Sequence, residues 1–148
     1  MKFIKLRRRI TFLVLGLFFL AVCAFLAGAQ QKRTVEEFTS PVAGAPILKT
    51  HLQMGTDYAQ AEGAVIRSNM KGQVIYAGSD PVLGEKVVID CFEGWRVVYG
   101  GLTNLRVKAG DQVDINKAIG QIGYYPNANE GINRPHLHYE VWQRDATK

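Results

Sequence analysis

Pro135-His136-Leu137-His138-Tyr139-Glu140-Val141 is the stretch that decides how the chain is read. Side chains at i and i+2 of a β-strand project to the same face. A strand here stands His136 and His138 side by side and turns Leu137, Tyr139 and Val141 into a core. Two imidazoles presented in parallel by a rigid strand suit zinc ligation, or one ligand beside one proton-transfer group. A bare His-x-His is also what an exposed strand face can carry. The decision therefore rests on what surrounds it.

Working outward, the chain from Ser40 onward consists of short apolar runs broken by Gly, Pro, Asn and Asp. Val65-Ile66, Val74-Ile75-Tyr76, Val87-Val88-Ile89, Val97-Val98-Tyr99, Ile119 to Ile122 and Leu137 to Trp142 read as strands. Lys71-Gly72, Gly78-Ser79-Asp80-Pro81, Glu93-Gly94 and Ala109-Gly110-Asp111 are turn material. No window beyond residue 40 sustains a 3.6-residue apolar period, so helix should be scarce. Many short, closely spaced strands imply an all-β domain built on a compact antiparallel sheet, over residues 40–148. Gly100-Gly101 reads as a bulge or close backbone approach rather than a phosphate loop, because no helix follows. Trp95, Tyr99 and Trp142 read as core or cleft-wall residues. The Gly-Asp-x-Val turn at 110–113 also occurs in biotinyl- and lipoyl-type carriers, but the Met-Lys-Met hairpin such a carrier needs is missing.

Several further motifs precede the histidines in a fixed order. They are Gly55-Thr56-Asp57-Tyr58-Ala59, Gly72 to Gly78, Gly84-x-x-Val87-Val88-Ile89-Asp90, Val98-Tyr99-Gly100-Gly101-Leu102, Val107 to Val113 and Ala118 to Gly123. Closed by Pro-His-Leu-His-Tyr-Glu-Val, this succession resembles the LytM or lysostaphin-type M23 metallopeptidase domain from about Pro41 to Trp142. Asn116 stands where that family usually has Gly, and Asn tolerates the left-handed conformation. The resemblance implies a zinc ion held by the His and Asp of an HxGxD motif and by the second His of HxH. It also implies two assisting histidines and hydrolysis of peptidoglycan peptide cross-bridges.

Transferred position by position, the implied site is incomplete. Asp57 matches the ligand carboxylate, His138 the ligand imidazole and His136 a catalytic histidine. Gln53 stands in place of the first ligand histidine, and Gly101 in place of the other catalytic one. A catalytic zinc normally has three protein ligands and a water. Gln53 offers only a neutral amide oxygen, a poor partner for zinc. Asp57 and His138 alone should hold Zn2+ weakly or not at all. Gly101 has no side chain with which to move a proton or meet an oxyanion. His51 is the one substitute ligand in reach: on a continuous extended strand it would share the face of Gln53 and Asp57, roughly 6–7 Å out of place. A bulge or a shifted register could bring it in. The expected function is thus a catalytically degenerate domain that binds peptidoglycan or a cell-envelope protein. The alternative is an active zinc endopeptidase.

The charge balance agrees. Lys2, Lys5, Arg7, Arg8 and Arg9 precede any acidic residue, and they account for the whole net charge of +5. The remainder of the chain is balanced, which argues against nucleic acid as a partner. Residues 10–29 are uncharged and long enough to cross a bilayer as a helix. With residues 1–9 as a basic cytoplasmic flank and 30–39 as a linker, the domain is expected outside the cytoplasm. Two readings stay open: a single-pass anchor, favoured by the length of the apolar run, or a signal peptide cleaved after Ala29. Cys91 reads as a small buried hydrophobe at a strand end.

Overall fold

The computed structural model describes residues 40–51, 55–91, 94–125 and 132–143, all within one compact unit. The basic segment, the apolar segment, the linker and Gln53 lie outside the described residues, and His51 is described in its backbone alone. Among the described residues nine strands form: β1 Ile47–His51, β2 Gly55–Ala59, β3 Val65–Arg67, β4 Gly72–Asp80, β5 Gly84–Cys91, β6 Trp95–Thr103, β7 Gln112–Val113, β8 Ala118–Ile122 and β9 His136–Gln143. Every pairing is antiparallel, and the main order across the sheet is β1-β2-β9-β6-β5-β4-β7. β8 joins the flank, pairing with both β3 and β6. No helix occurs among the described residues.

Alternation of apolar side chains makes the core. Val87 and Ile89 of β5, Val97 and Tyr99 of β6, and Leu137 and Tyr139 of β9 all point inward. Ile66, Val74, Ile119 and Ile122 complete the same cluster. Each such side chain contributes about 1.5–3 kcal/mol when fully buried. The two core tyrosines keep their hydroxyls satisfied through one residue. Tyr99 donates to Asn69 Oδ1, and Asn69 Nδ2 donates to the Tyr139 hydroxyl at 3.0 Å. Burial pushes the Tyr99 hydroxyl up to about 12, which keeps it a neutral donor at physiological pH. Cys91 is buried at the end of β5, and Asn116 takes a φ of 70°, both as expected.

The hairpin of β4 and β5 carries the turn nearest the site. The Asp80 carboxylate accepts from Val82 N at 2.9 Å and Leu83 N at 3.0 Å, and it pairs with Lys86 at 2.6 Å. Burial raises the Asp80 pKa, but the hydrogen bonds from Lys86, Val82 and Leu83 outweigh that and leave it lowered. One expectation is corrected at β1 and β2. The chain does not run extended from His51 to Asp57; it reverses between the two strands, so that His51 pairs with Gly55 and Lys49 with Asp57. A one-strand geometry therefore does not describe how His51 relates to Asp57.

Candidate functional site

β9 lies inside the sheet, with β2 on one side and β6 on the other, and this assembles the site. The register sets Asp57 opposite His138 and Ala59 opposite His136 across β2 and β9. On the other side it sets Gly100 opposite His138 and Val98 opposite Glu140. Directly opposed residues of antiparallel strands share a face. Asp57, His138, Glu140 and Gly100 therefore meet on one surface, behind which Leu137 and Tyr139 fill the core.

Asp57 and His138 are in direct contact. Asp57 Oδ1 lies 2.6 Å from His138 Nδ1, and the two residues are only 0% and 1% exposed. The other ring nitrogen, Nε2, lies 2.8 Å from Glu140 Oε1. Glu140 Oε2 accepts in turn from the indole N–H of Trp142 at 2.5 Å. Burial raises the Glu140 pKa, yet the hydrogen bonds from His138 and Trp142, with the nearby charge of Lys86, hold it below the ordinary carboxylate value. His136 is buried, and its Nδ1 lies 2.8 Å from the Arg134 carbonyl oxygen.

The β6 side is different. Gly101 has a φ of 75°, and a Cβ there would stand 2.6 Å from the backbone oxygen of His136. Its N–H donates to Leu83 O at 2.7 Å. A Cβ on Gly100 would meet Leu83 atoms at 3.0 Å, so Leu83 covers the place next to His138. Tyr125 packs its ring over Gly84 and donates its hydroxyl to Leu102 O. A side chain is thus excluded at Gly101 by the backbone conformation and by the carbonyl facing it.

The structure brings together three expected site residues, Asp57, His138 and His136. Gly101 adjoins them without a functional group. Gln53 lies outside the described residues, as does the side chain of His51. Among the described residues, no three His, Cys, Asp or Glu side chains stand where they could share one metal ion. Asp57 and His138 supply two donors, one short of the usual protein complement for catalytic zinc. The described donor set is therefore incomplete for that ion, and no chemical step is derived from it. Sequence reasoning passed over Glu140, although the period of two running through His136, His138, Glu140 and Trp142 was its signal. Trp142 is not a core residue: it is 45% exposed, at the open end of that row.

An antiparallel β-domain with a histidine pair and a buried aspartate on adjacent strands defines the class of β-sheet metallopeptidase-like domains. The chain belongs to Peptidase family M23, whose family model matches residues 51–148. It is similar to the Cell division protein DipM of Caulobacter vibrioides, 31% identical over 88 residues, which covers 59% of this chain and 14% of the relative. It is also similar to the Stage II sporulation protein Q of Bacillus subtilis, 33% identical over 92 residues, covering 61% of this chain and 32% of that protein. This chain thus spans a third or less of the length of either curated relative. Among solved structures, a zinc containing peptidase from Vibrio cholerae superposes with a TM-score of 0.61 at 28% identity, over 70% of this chain and 36% of that one. The SpoIIQ–SpoIIIAH pore forming complex includes a chain matching with a TM-score of 0.51 at 32% identity, over 60% of this chain and 56% of that one.

Proposed function

We propose that this M23 domain binds rather than cuts. On this reading it docks to peptidoglycan or to a protein of the cell envelope, tethered outside the cytoplasm by residues 10–29. The observation that carries the reading is the β6 side of the site. Position 101 holds no side chain, its backbone is left-handed, and the space beside His138 is taken by Leu83. Loss of one proton-transfer or charge-stabilising group commonly costs two or more orders of magnitude in rate. Similarity to a cell-division protein, and to a chain found in a pore forming complex with a second protein, supports a docking role over a degradative one.

A second reading, an active zinc endopeptidase cleaving peptide cross-bridges, draws on one specific observation. Asp57, His138 and His136 are gathered on neighbouring strands as a hydrolytic site would need, and one solved neighbour is a zinc containing peptidase. Zinc stoichiometry of the purified protein separates the two readings. Little or no zinc retained through mild chelation is the expected result. One tightly bound zinc, lost in both Asp57→Ala and His51→Ala, would overturn the docking reading and make His51 the third ligand.

A further inference from the structure

We propose that the domain carries a docking site for the chain's own linker: residues Thr34-Val35-Glu36-Glu37-Phe38-Thr39 seat in a cavity beside β3. The cavity measures about 390 Å3 and is walled by Pro41, Ala43, Val65, Arg67, Ile115 and Asn116. None of these belongs to the face that carries Asp57 and His138. Asn69 also lines the cavity, and its Nδ2 donates to the Tyr139 hydroxyl. Tyr139 points to the core side of β9 and His138 to the other. The cavity and the histidine face therefore lie on opposite sides of that strand, and filling one leaves the other open.

The lining favours one kind of occupant. Val65 and Ile115 are 41% and 53% exposed, while Ile66 and Val113 beside them in the chain are buried or nearly so. Two apolar side chains left open at one cavity gain from an apolar cover. Arg67 is the one charged residue among those lining it. Its Nη1 donates to Asn116 O at 2.9 Å, and among the described residues no carboxylate pairs with it. A guanidinium has five donors, so capacity for an acid remains. The linker meets both demands. Val35 and Phe38 are apolar, and Glu36 and Glu37 are the only acidic residues ahead of Asp57. Ser40 lines the cavity, which puts Phe38 within roughly 7 Å of that lining along the chain. The link is covalent, so docking is intramolecular and proceeds at high effective concentration. Where the domain is tethered as proposed above, docking leaves only residues 30–33 as the connection to residues 10–29. The reach of that connection then falls from roughly 33–36 Å to roughly 13–14 Å. This consequence rests on the tethered reading; the docking itself does not.

The test is methyl and amide NMR on the full chain in detergent micelles. The Phe38 ring should show contacts to the Ile115 methyls. In Phe38→Ala the Ile115 and Val65 methyl signals should shift, while those of Ile89 in the core stay in place. Arg67→Glu should speed amide exchange over residues 35–38 about tenfold, and adding Glu36→Lys with Glu37→Lys should restore it. Unmoved Ile115 and Val65 signals in Phe38→Ala would overturn the proposal. So would contacts that appear only between differently labelled copies, which would make a second copy the occupant. Exchange that stays fast in the charge-reversed chain would overturn the pairing with Arg67 and the proposal with it. Binding to peptidoglycan or envelope protein is measured separately; its failure would refute the docking reading of the histidine face and leave the NMR result standing.

Discussion

The two flanks of β9 differ within one site. On the β2 side, Asp57 and His138 are fully buried, in contact at 2.6 Å, and backed by Glu140. On the β6 side, Gly100 and Gly101 present only backbone, and the turn before β5 lays Leu83 over them. The first flank buries polar groups against one another; the second presents backbone covered by apolar packing. Burial of a carboxylate–imidazole pair is tolerated only with full pairing. The β2 side should therefore be sensitive to loss of a partner, and the β6 side to gain of a side chain.

The largest expected effect is on the first flank. Asp57→Ala removes the buried partner of His138 Nδ1 and should cost about 3–5 kcal/mol in urea denaturation. A loss below 1 kcal/mol would show that the two flanks do not differ in this way. On the second flank, Gly101→His should cost about 2–4 kcal/mol through the left-handed backbone and the facing carbonyl. It should also gain no peptide-bond hydrolysis, because the new side chain has no room where the histidine is wanted. Recovery of activity by that single change would mean that the glycine alone disables the site. Leu83→Ala removes a half-buried side chain over Gly100 and should cost about 1–2 kcal/mol, with the Asp57–His138 pair unchanged in NMR.

The smallest effect is pH-dependent. The folded pKa of Asp80 is lowered from its ordinary value of 3.8. Its contribution is therefore present above that value and lost as pH falls through the folded one. Asp80→Asn should remove about 1–2 kcal/mol at pH 7 and flatten the acid limb of the stability curve. An identical limb in both proteins would assign the acid sensitivity to other carboxylates.

The same comparison explains what could be read from the sequence. The alternation of 135–142 was legible because a half-buried strand must alternate, and it placed both histidines on one face and Leu137 and Tyr139 behind them. β1 and β2 were not legible as separate strands. Lys49-Thr50-His51 and Thr56-Asp57 carry no apolar alternation, and the reversal between them leaves its mark only in the register. Short β7 spans only Gln112–Val113, too brief to show a period. The role of Gly101 was half visible: the missing side chain could be seen, but not the φ of 75° or the carbonyl that forbids restoring it. Glu140 was legible only as the next member of the period of two that runs from His136 through His138 to Trp142, a polar residue in a row whose histidines already explained the pattern.

The most direct test is to incubate the purified protein with peptidoglycan sacculi in the presence of added zinc, assaying soluble peptide fragments and new amino termini. No release above background is expected, in the unmodified protein and in His136→Ala alike. Fragment release by the unmodified protein that disappears in His136→Ala would contradict the docking assignment and establish a working hydrolase.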